Sequence, residues 1–215
     1  MIETIDELKI RQIQTTLIEW EKENFLDFPW RDAENKLHAL IAEVMLQKTR
    51  AEQVAPIYLT MTERYPTPKY FLEEDPDIIR ELLRPLGLRK RTEKIFELMN
   101  VIHEKSCTIP KTKEELMKLP GVGRYSANAF LSFHLGERAP IIDTNAIRLW
   151  SRLFGFNLTK GAYRSKWFEE LVEKITPERE FKEFNYAVLD YTRSVCKPKP
   201  LCELCQLRSL CKFVE

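Results

Sequence analysis

The sequence predicts an all-α protein. Only six glycines occur among 215 residues, apolar side chains repeat at intervals of three and four residues, and no segment alternates as a β-strand does. Because 44% of the residues are hydrophobic and 31% are charged, disorder and low-complexity sequence are excluded. The length suits one large domain or two small ones.

The helices can be placed from their apolar stripes and their breakers. An amphipathic helix is predicted at residues 5–22, and two more at 37–48 and 51–65, the last ended by Pro66 and Pro68. Further helices are predicted at 78–83, 92–104, 113–117, 124–135, 144–153, 163–175 and 181–195. Short connections that contain glycine predict compact helix packing, and no linker or repeat is visible.

Charge and hydropathy limit the function classes. The net charge of +1 argues against a globally basic, histone-like binder, so any nucleic-acid site must be local. No apolar run approaches the length of a membrane span, and the N-terminus carries no signal-peptide features. We therefore expect a soluble cytoplasmic protein with no membrane partner.

Four of the five cysteines fall within the last 20 residues. Their spacing is C-x5-C-x2-C-x5-C, and the four are Cys196, Cys202, Cys205 and Cys211. Thiolates that converge on one centre suit either a tetrahedral zinc ion or a [4Fe-4S] cluster, and the spacing leaves both open. The fifth, Cys107, is predicted to be a small buried residue.

A glycine-rich turn separates two predicted helices. In Leu119-Pro120-Gly121-Val122-Gly123 the backbone can approach a ligand closely and point N–H groups at an anion such as a DNA phosphate. We interpret this as a helix-hairpin-helix motif; the alternative is a plain turn between helices.

Two carboxylates are candidate catalytic groups. Asp143 precedes a predicted helix, where it either caps the helix or faces developing positive charge. Glu43 is the one charged residue in the apolar segment 39–46, so it either reaches the surface or lies desolvated, with the raised pKa of a general acid. Gln47 and Lys48 follow on the next turn and could reach a groove lined by Glu43.

The combination resembles the helix-hairpin-helix DNA glycosylases that carry an iron-sulfur cluster, which include endonuclease III, the MutY adenine glycosylases and the archaeal G:T mismatch glycosylases. The motifs that carry the resemblance occur in the family's order: Phe28-Pro29-Trp30-Arg31, Glu43 to Thr49, Leu119 to Gly123, Asp143-Thr144-Asn145 and the four cysteines. The resemblance covers nearly the whole chain. It implies a six-helix barrel domain at 27–137 and a cluster domain formed by 1–26 and 138–215, with double-stranded DNA in the cleft between them and the protein acting as a monomer.

The resemblance also implies catalytic roles. Asp143 matches the family aspartate that stabilises an oxocarbenium-like sugar or activates water, and Asn145 is expected to orient it. Glu43 matches the glutamate that protonates the departing base or positions water. Tyr125 stands where endonuclease III has a lysine, so no Schiff base can form there and a monofunctional glycosylase is expected.

The implied DNA contacts and cofactor follow the same motifs. The DNA-binding residues would be Gln47, Lys48, Leu88, Arg89, Gly121, Val122 and Gly123. The four cysteines would hold a [4Fe-4S] cluster, although the first gap has five residues where the family usually has six. Basic residues at 89–91 and in the 193–199 loop offer phosphate contacts or are ordinary surface charge.

Substrate choice divides the family. The Glu43 and Asp143-x-Asn145 elements are similar to those of the adenine glycosylases, which act on adenine opposite guanine or 8-oxoguanine. Gly87-Leu88-Arg89 is closer to endonuclease III and the mismatch thymine glycosylases, and the chain ends four residues after Cys211. We therefore expect removal of thymine or uracil opposite guanine. The alternative from another class is a non-catalytic, zinc-containing DNA-binding module.

Overall fold

The computed structural model describes residues 6–87, 89–156 and 165–213, with the side chain of Arg89 left out. These residues form helices and turns and contain no β-strand, which confirms the all-α prediction. The α-helices are α1 (Glu7–Asn24), α2 (Lys36–Met45), α3 (Ala51–Arg64), α4 (Pro68–Glu73), α5 (Pro76–Leu83), α6 (Arg89–Glu104), α7 (Lys113–Leu116), α8 (Arg124–Phe130), α9 (Thr144–Phe154), α10 (Lys166–Ile175) and α11 (Phe181–Ser194).

The chain divides into two compact units. One is continuous, Asp27–Gly136, and the other joins the N-terminal segment through Leu26 to the segment from Glu137 onward. None of the helices in the described ranges combines the length and apolar composition that crossing a bilayer requires.

Helix α2 lies at the centre of the continuous unit. It packs against α3, α6 and α8, and all its residues from Ala39 to Met45 are buried. A helix that is apolar on every side must be covered on every side. Glu43 is therefore buried, with 2% of its surface exposed, which is one of the two alternatives predicted for this residue.

The second unit has an aromatic core. Helix α1 packs against α11, and α9 packs against α11 as well. Trp150, Phe168, Phe184 and Tyr191 are almost fully buried between these elements. Two short 3-10 turns, Cys202–Leu204 and Arg208–Leu210, close the C-terminal segment, and the fully buried Leu207 anchors it to the same core.

Several predicted helix ends were wrong. Helix α2 ends at Met45 and not at 48, because Lys48 adopts a left-handed φ of 57° and Arg91 donates hydrogen bonds to the carbonyls of Met45 and Gln47. Helix α4 was not predicted from the sequence. Pro68 starts this helix, because proline at the first helical position loses no hydrogen bond and has a suitable φ.

The predicted helix at 124–135 is two elements. Helix α8 stops at Phe130, and a π turn at Leu131–Leu135 continues it before Gly136 ends the segment with a φ of 70°. The start of the helix predicted at 163–175 lies outside the described residues, and α10 begins at Lys166.

Candidate active site

The glycine turn is held by Gln47, which lies in the turn that follows helix α2. Gly121 has a φ of 77°, and its carbonyl accepts a hydrogen bond of 2.7 Å from the Gln47 side-chain nitrogen. The same nitrogen donates to Ser126 Oγ at 2.9 Å, and Ser126 Oγ donates to the Glu43 carbonyl at 3.2 Å. Gln47, predicted to bind DNA, therefore holds the turn in place, and its role toward DNA stays a prediction.

The two glycines of the turn differ in their surroundings. A Cβ atom on Gly121 would lie 3.2 Å from Lys94 Cβ and 3.3 Å from Val44 Cγ1, whereas one on Gly123 would meet nothing within 4 Å. Gly123 is the N-cap of α8 and supplies no side-chain cap, and Val122 between the glycines is buried. The open side of the turn is thus at Gly123, beside the first N–H groups of α8.

These surroundings predict opposite effects for two alanine substitutions. Gly121→Ala should lower the free energy of unfolding by roughly 1–3 kcal/mol, because it combines a left-handed residue with close contacts. Gly123→Ala should leave the thermal midpoint nearly unchanged and weaken DNA binding, because the added methyl group occupies the open side. Thermal unfolding and fluorescence anisotropy with a DNA duplex measure the two effects. Equal destabilisation by both substitutions would contradict this assignment.

Asp143 is the N-cap of α9. Its Oδ1 accepts hydrogen bonds from the Asn145 and Ala146 N–H groups at 3.0 and 2.6 Å, and its Oδ2 accepts one of 2.8 Å from the Asn145 side chain. Capping and a catalytic role are therefore not exclusive alternatives, since the cap fixes both carboxylate oxygens.

A chain of hydrogen bonds continues from this cap. Arg148 Nη1 donates to Asn145 Oδ1 at 2.9 Å, and its Nε and Nη2 donate to the carbonyls of Cys196 and Thr192 at 2.9 and 3.0 Å. The Asp143 carboxylate is thus held by Asn145, which is itself held by an arginine anchored on the segment that carries the first cysteine of the tail.

Burial raises the pKa of the Asp143 carboxyl above its usual value. The hydrogen bonds from Ala146 and Asn145, together with the Arg148 charge, oppose this rise. These partners favour the ionised carboxylate as the pH falls, which is the form that can stabilise a positive charge.

Removing one of these partners should change the pH dependence of the reaction. In Asn145→Ala the carboxyl loses a hydrogen bond to its charged form, so its pKa rises further and the excision rate should begin to fall at a higher pH on the acid side. Single-turnover rates measured across the acid range test this. A rate lowered by the same factor at every pH would contradict the expected shift.

Glu43 has one charged-group partner. Glu43 Oε1 lies 3.5 Å from His134 Nε2, the two side chains are 3% and 2% exposed, and His134 is the only partner of the Glu43 carboxylate within the described residues. Glu43 Oε2 and His134 Nε2 have no hydrogen-bond partner in this part of the chain. His134 is not among the residues predicted from the sequence; the available signal was a histidine inside the apolar segment 127–135.

The other predicted site residues fall into three groups. Tyr125 is half-buried in the first turn of α8, directly after the glycine turn, and Lys48 is exposed. Leu88 and the side chain of Arg89 lie outside the described residues. Arg91, predicted to belong to a phosphate-binding patch, is buried and bonded to carbonyls of Met45, Gln47 and Leu86, so that expectation was wrong for Arg91.

The four cysteines of the tail are free thiols in one part of the second unit. Cys196 is buried with its Sγ 3.4 Å from Arg152 Nη1, and the Tyr191 hydroxyl lies 3.2 Å from Cys205 Sγ. Cys205 and Cys211 pack on the core that contains Cys196. Cys107 is exposed rather than buried, because it follows the end of α6 in a left-handed turn.

The donor chemistry of this group suits a zinc ion or an iron-sulfur cluster. Within the described residues, no three histidine, cysteine or acidic side chains lie close enough together to hold a single metal ion. Thiolates are ligands of a tetrahedral zinc ion and also of a [4Fe-4S] cluster, in which each thiolate binds a different iron. Donors directed at sulfur, such as Arg152 and Tyr191, stabilise the charged thiolates that such a cluster requires.

The chain is similar to known proteins over nearly its full length. The profile of the HhH-GPD superfamily base excision DNA repair proteins matches residues 41–177, more than half of the chain. The thymine-DNA glycosylase of Aeropyrum pernix is 36% identical over 97% of this chain and 97% of its own length. The thymine/uracil-DNA glycosylase of Methanothermobacter thermautotrophicus is 31% identical over 94% and 93%. A solved thermostable thymine-DNA glycosylase has a TM-score of 0.87 and 29% identity, with 95% of this chain and 96% of that chain covered.

The helical fold, the glycine turn and the capped aspartate define a class of protein, the base-excision DNA glycosylases. The chain belongs to the HhH-GPD superfamily of base excision DNA repair proteins. It is a hydrolase that acts on the N-glycosidic bond, which confirms the family, the fold and the enzyme class predicted from the sequence. The alternative of a non-catalytic zinc-containing module is not retained.

Proposed function

We propose that this enzyme removes thymine or uracil lying opposite guanine in double-stranded DNA and leaves an abasic site. The observation that carries the proposal is the 36% identity to a thymine-DNA glycosylase over nearly the full length of both chains. A second relative with nearly full coverage is named for thymine and uracil together. Loss of the methyl group is the only difference between these two bases, so one pocket can accept both.

Asp143 supplies a negative charge that stabilises the positively charged transition state. The target nucleotide must leave the base stack, because its glycosidic bond is inaccessible within a duplex. As this bond breaks, the sugar acquires oxocarbenium character, and a fixed carboxylate beside it stabilises the positive charge. The three hydrogen bonds of 2.6–3.0 Å to Asp143 support this role, because they remove the cost of orienting the carboxylate during the reaction.

Glu43 acts on the departing base. A pyrimidine leaves with the electron pair of the broken bond and must be neutralised by a proton or by hydrogen bonds. The buried Oε2 of Glu43 has no protein partner in the described part of the chain, which supports a role toward substrate or water.

Tyr125 makes the reaction a simple hydrolysis. The half-buried side chain at this position in α8 is a phenol, which cannot form a Schiff base with the sugar. Water therefore completes the reaction, and the strand stays intact until another agent cleaves the abasic site.

The glycine turn, Lys48, Leu88 and Arg89 contact the DNA, and the enzyme acts as a monomer. The uncapped start of α8 and the open side of Gly123 support phosphate binding at the turn, because N–H groups at a helix start attract an anion. The chain is nearly neutral overall, so binding depends on such local features.

Cys196, Cys202, Cys205 and Cys211 hold a [4Fe-4S] cluster. With a cluster bound, these four residues would crosslink the C-terminal segment, and the Cys196 carbonyl that accepts a hydrogen bond from Arg148 would be held in place. Protein purified without oxygen should contain about four iron ions and four sulfide ions per chain and should absorb light at about 400 nm. Cys205→Ser should lower the iron content. A protein with one zinc and no iron would overturn this assignment.

A panel of duplexes tests the substrate. We expect alkali to reveal cleavage of the thymine or uracil strand in G:T and G:U duplexes at rates at least tenfold above those for adenine in G:A and 8-oxoguanine:A duplexes. Preferential cleavage of the adenine strand would overturn the proposal in favour of an adenine glycosylase. Asp143→Asn enzyme serves as the control for contaminating glycosylases.

A further inference from the structure

We propose that His134 is a positioning and proton-holding partner of Glu43, and that the two form one buried acid–base dyad in the active site. The inference rests on the proposed function, because it assigns the proton that the departing base takes up. His134 lies outside the motifs that carry the family resemblance.

The π turn brings His134 to Glu43. Ser126 on α8 faces α2, where it donates to the Glu43 carbonyl, and His134 comes eight residues later. Two turns of an α-helix hold about seven residues, so a regular helix would bring Phe133 to this side. The π turn at Leu131–Leu135 is wider and holds about one residue more, which places His134 beside Glu43 instead.

The burial of the pair requires that its charges balance. An isolated carboxylate with 3% exposure would carry a large desolvation cost, and in the described residues His134 is the group available to offset it. Arg91 on α6 is engaged with main-chain carbonyls, and burial raises the pKa of Tyr58 on α3 to about 12, so Tyr58 stays neutral. The dyad is neutral overall when it holds one proton, either on the imidazole or on the carboxyl group.

The same proton can serve the reaction. When the glycosidic bond breaks, its electron pair leaves with the base, and the base takes the dyad's proton through Glu43 Oε2. The dyad then carries one negative charge, water adds to the sugar carbon and releases one proton, and the dyad regains a proton from solvent. Attraction to His134 at 3.5 Å holds Oε1, so Oε2 is the oxygen left to face the substrate.

Aromatic packing holds the imidazole of His134 in place but leaves its Nε2 without a hydrogen bond from the described residues. Phe130 and Phe133 lie with ring centroids 5.7 and 6.4 Å from the His134 ring, while His134 Nε2 has no hydrogen-bond partner in the described residues. A histidine with a purely structural role would be expected to have its ring nitrogens hydrogen-bonded.

The first test reads the dyad without any turnover. In the full-length protein, the protonation midpoint of His134 is followed by imidazole nitrogen NMR in wild type and in Glu43→Gln. Removing the negative partner should change this midpoint, because the carboxylate 3.5 Å away no longer favours the charged imidazole. The exposed His103 should titrate alike in both proteins. An unchanged midpoint for His134 would overturn the proposal.

The second test reads the reaction. Single-turnover release of uracil from a G:U duplex is measured against pH for wild type, His134→Gln and the control His103→Gln. Without its partner Glu43 no longer shares a proton with His134, so the alkaline limb of the pH profile should change position in His134→Gln and stay in place in the control. A rate lowered equally at every pH indicates packing alone and overturns the proposal. If wild type releases no thymine or uracil, the proposed function fails, and the NMR titration still decides the dyad.

Discussion

Asp143→Asn should abolish base release while leaving the fold and DNA binding in place. The substitution removes the negative charge that stabilises the oxocarbenium-like sugar. We expect the single-turnover rate to fall by roughly a thousandfold. Asparagine is also a preferred N-cap residue, so α9 should start as before. The rate is measured on a G:U duplex, and binding is measured by anisotropy with the same duplex.

Asp75→Asn is the matched control for this prediction. Asp75 caps α5, and its side chain accepts a hydrogen bond of 2.9 Å from the Asp77 N–H group, so it has the same structural role at a position that we assign to no chemistry. Its substitution should change the rate less than about twofold, because surface substitutions away from the site have small effects. Activity retained by Asp143→Asn, or lost only because that variant unfolds, would contradict the catalytic role of Asp143.

Tyr125→Lys should convert the enzyme into one that also nicks the strand. An amine in the first turn of α8 can attack the sugar carbon of an abasic site, forming a Schiff base from which β-elimination cleaves the backbone. The position is half-buried, and partial burial favours the neutral, nucleophilic amine. Borohydride should trap a covalent protein–DNA complex with the variant and none with wild type.

Arg124→Lys is the control for the amine itself. Arg124 is the exposed neighbour of Tyr125 at the start of α8, so this variant adds a lysine to the same turn outside the half-buried position. It should give no trapped complex. Trapping by wild type would show that the enzyme has lyase activity of its own and would contradict the monofunctional mechanism.

The parts of the fold and site that depend on local sequence were predictable. The apolar segment of α2 predicted a buried helix, although it left open whether Glu43 reaches the surface, and the residues around Asp143 form a helix start that needs a cap. The tight turn at Gly121 was also predictable from local sequence, because few residues other than glycine adopt the left-handed conformation.

The parts that depend on tertiary contacts were not. Arg91 resembles a surface cation in sequence, yet it is buried because the carbonyls left at the end of α2 need donors. His134 reaches Glu43 only through the π turn, which changes the phase of a helix that periodicity treats as regular. Pro68 begins helix α4, although its position after α3 predicts only a helix end, because proline is suited to both positions.

The measurement that tests the central claim most directly is the identification of both products from one G:U duplex. Under single-turnover conditions, mass spectrometry follows the free base and the intact mass of the strand before any alkali is added. The account predicts free uracil in amounts equal to an unbroken strand that carries one abasic site, and neither product with Asp143→Asn. An unchanged duplex with wild type, or a strand already cleaved beside the missing base, would contradict it.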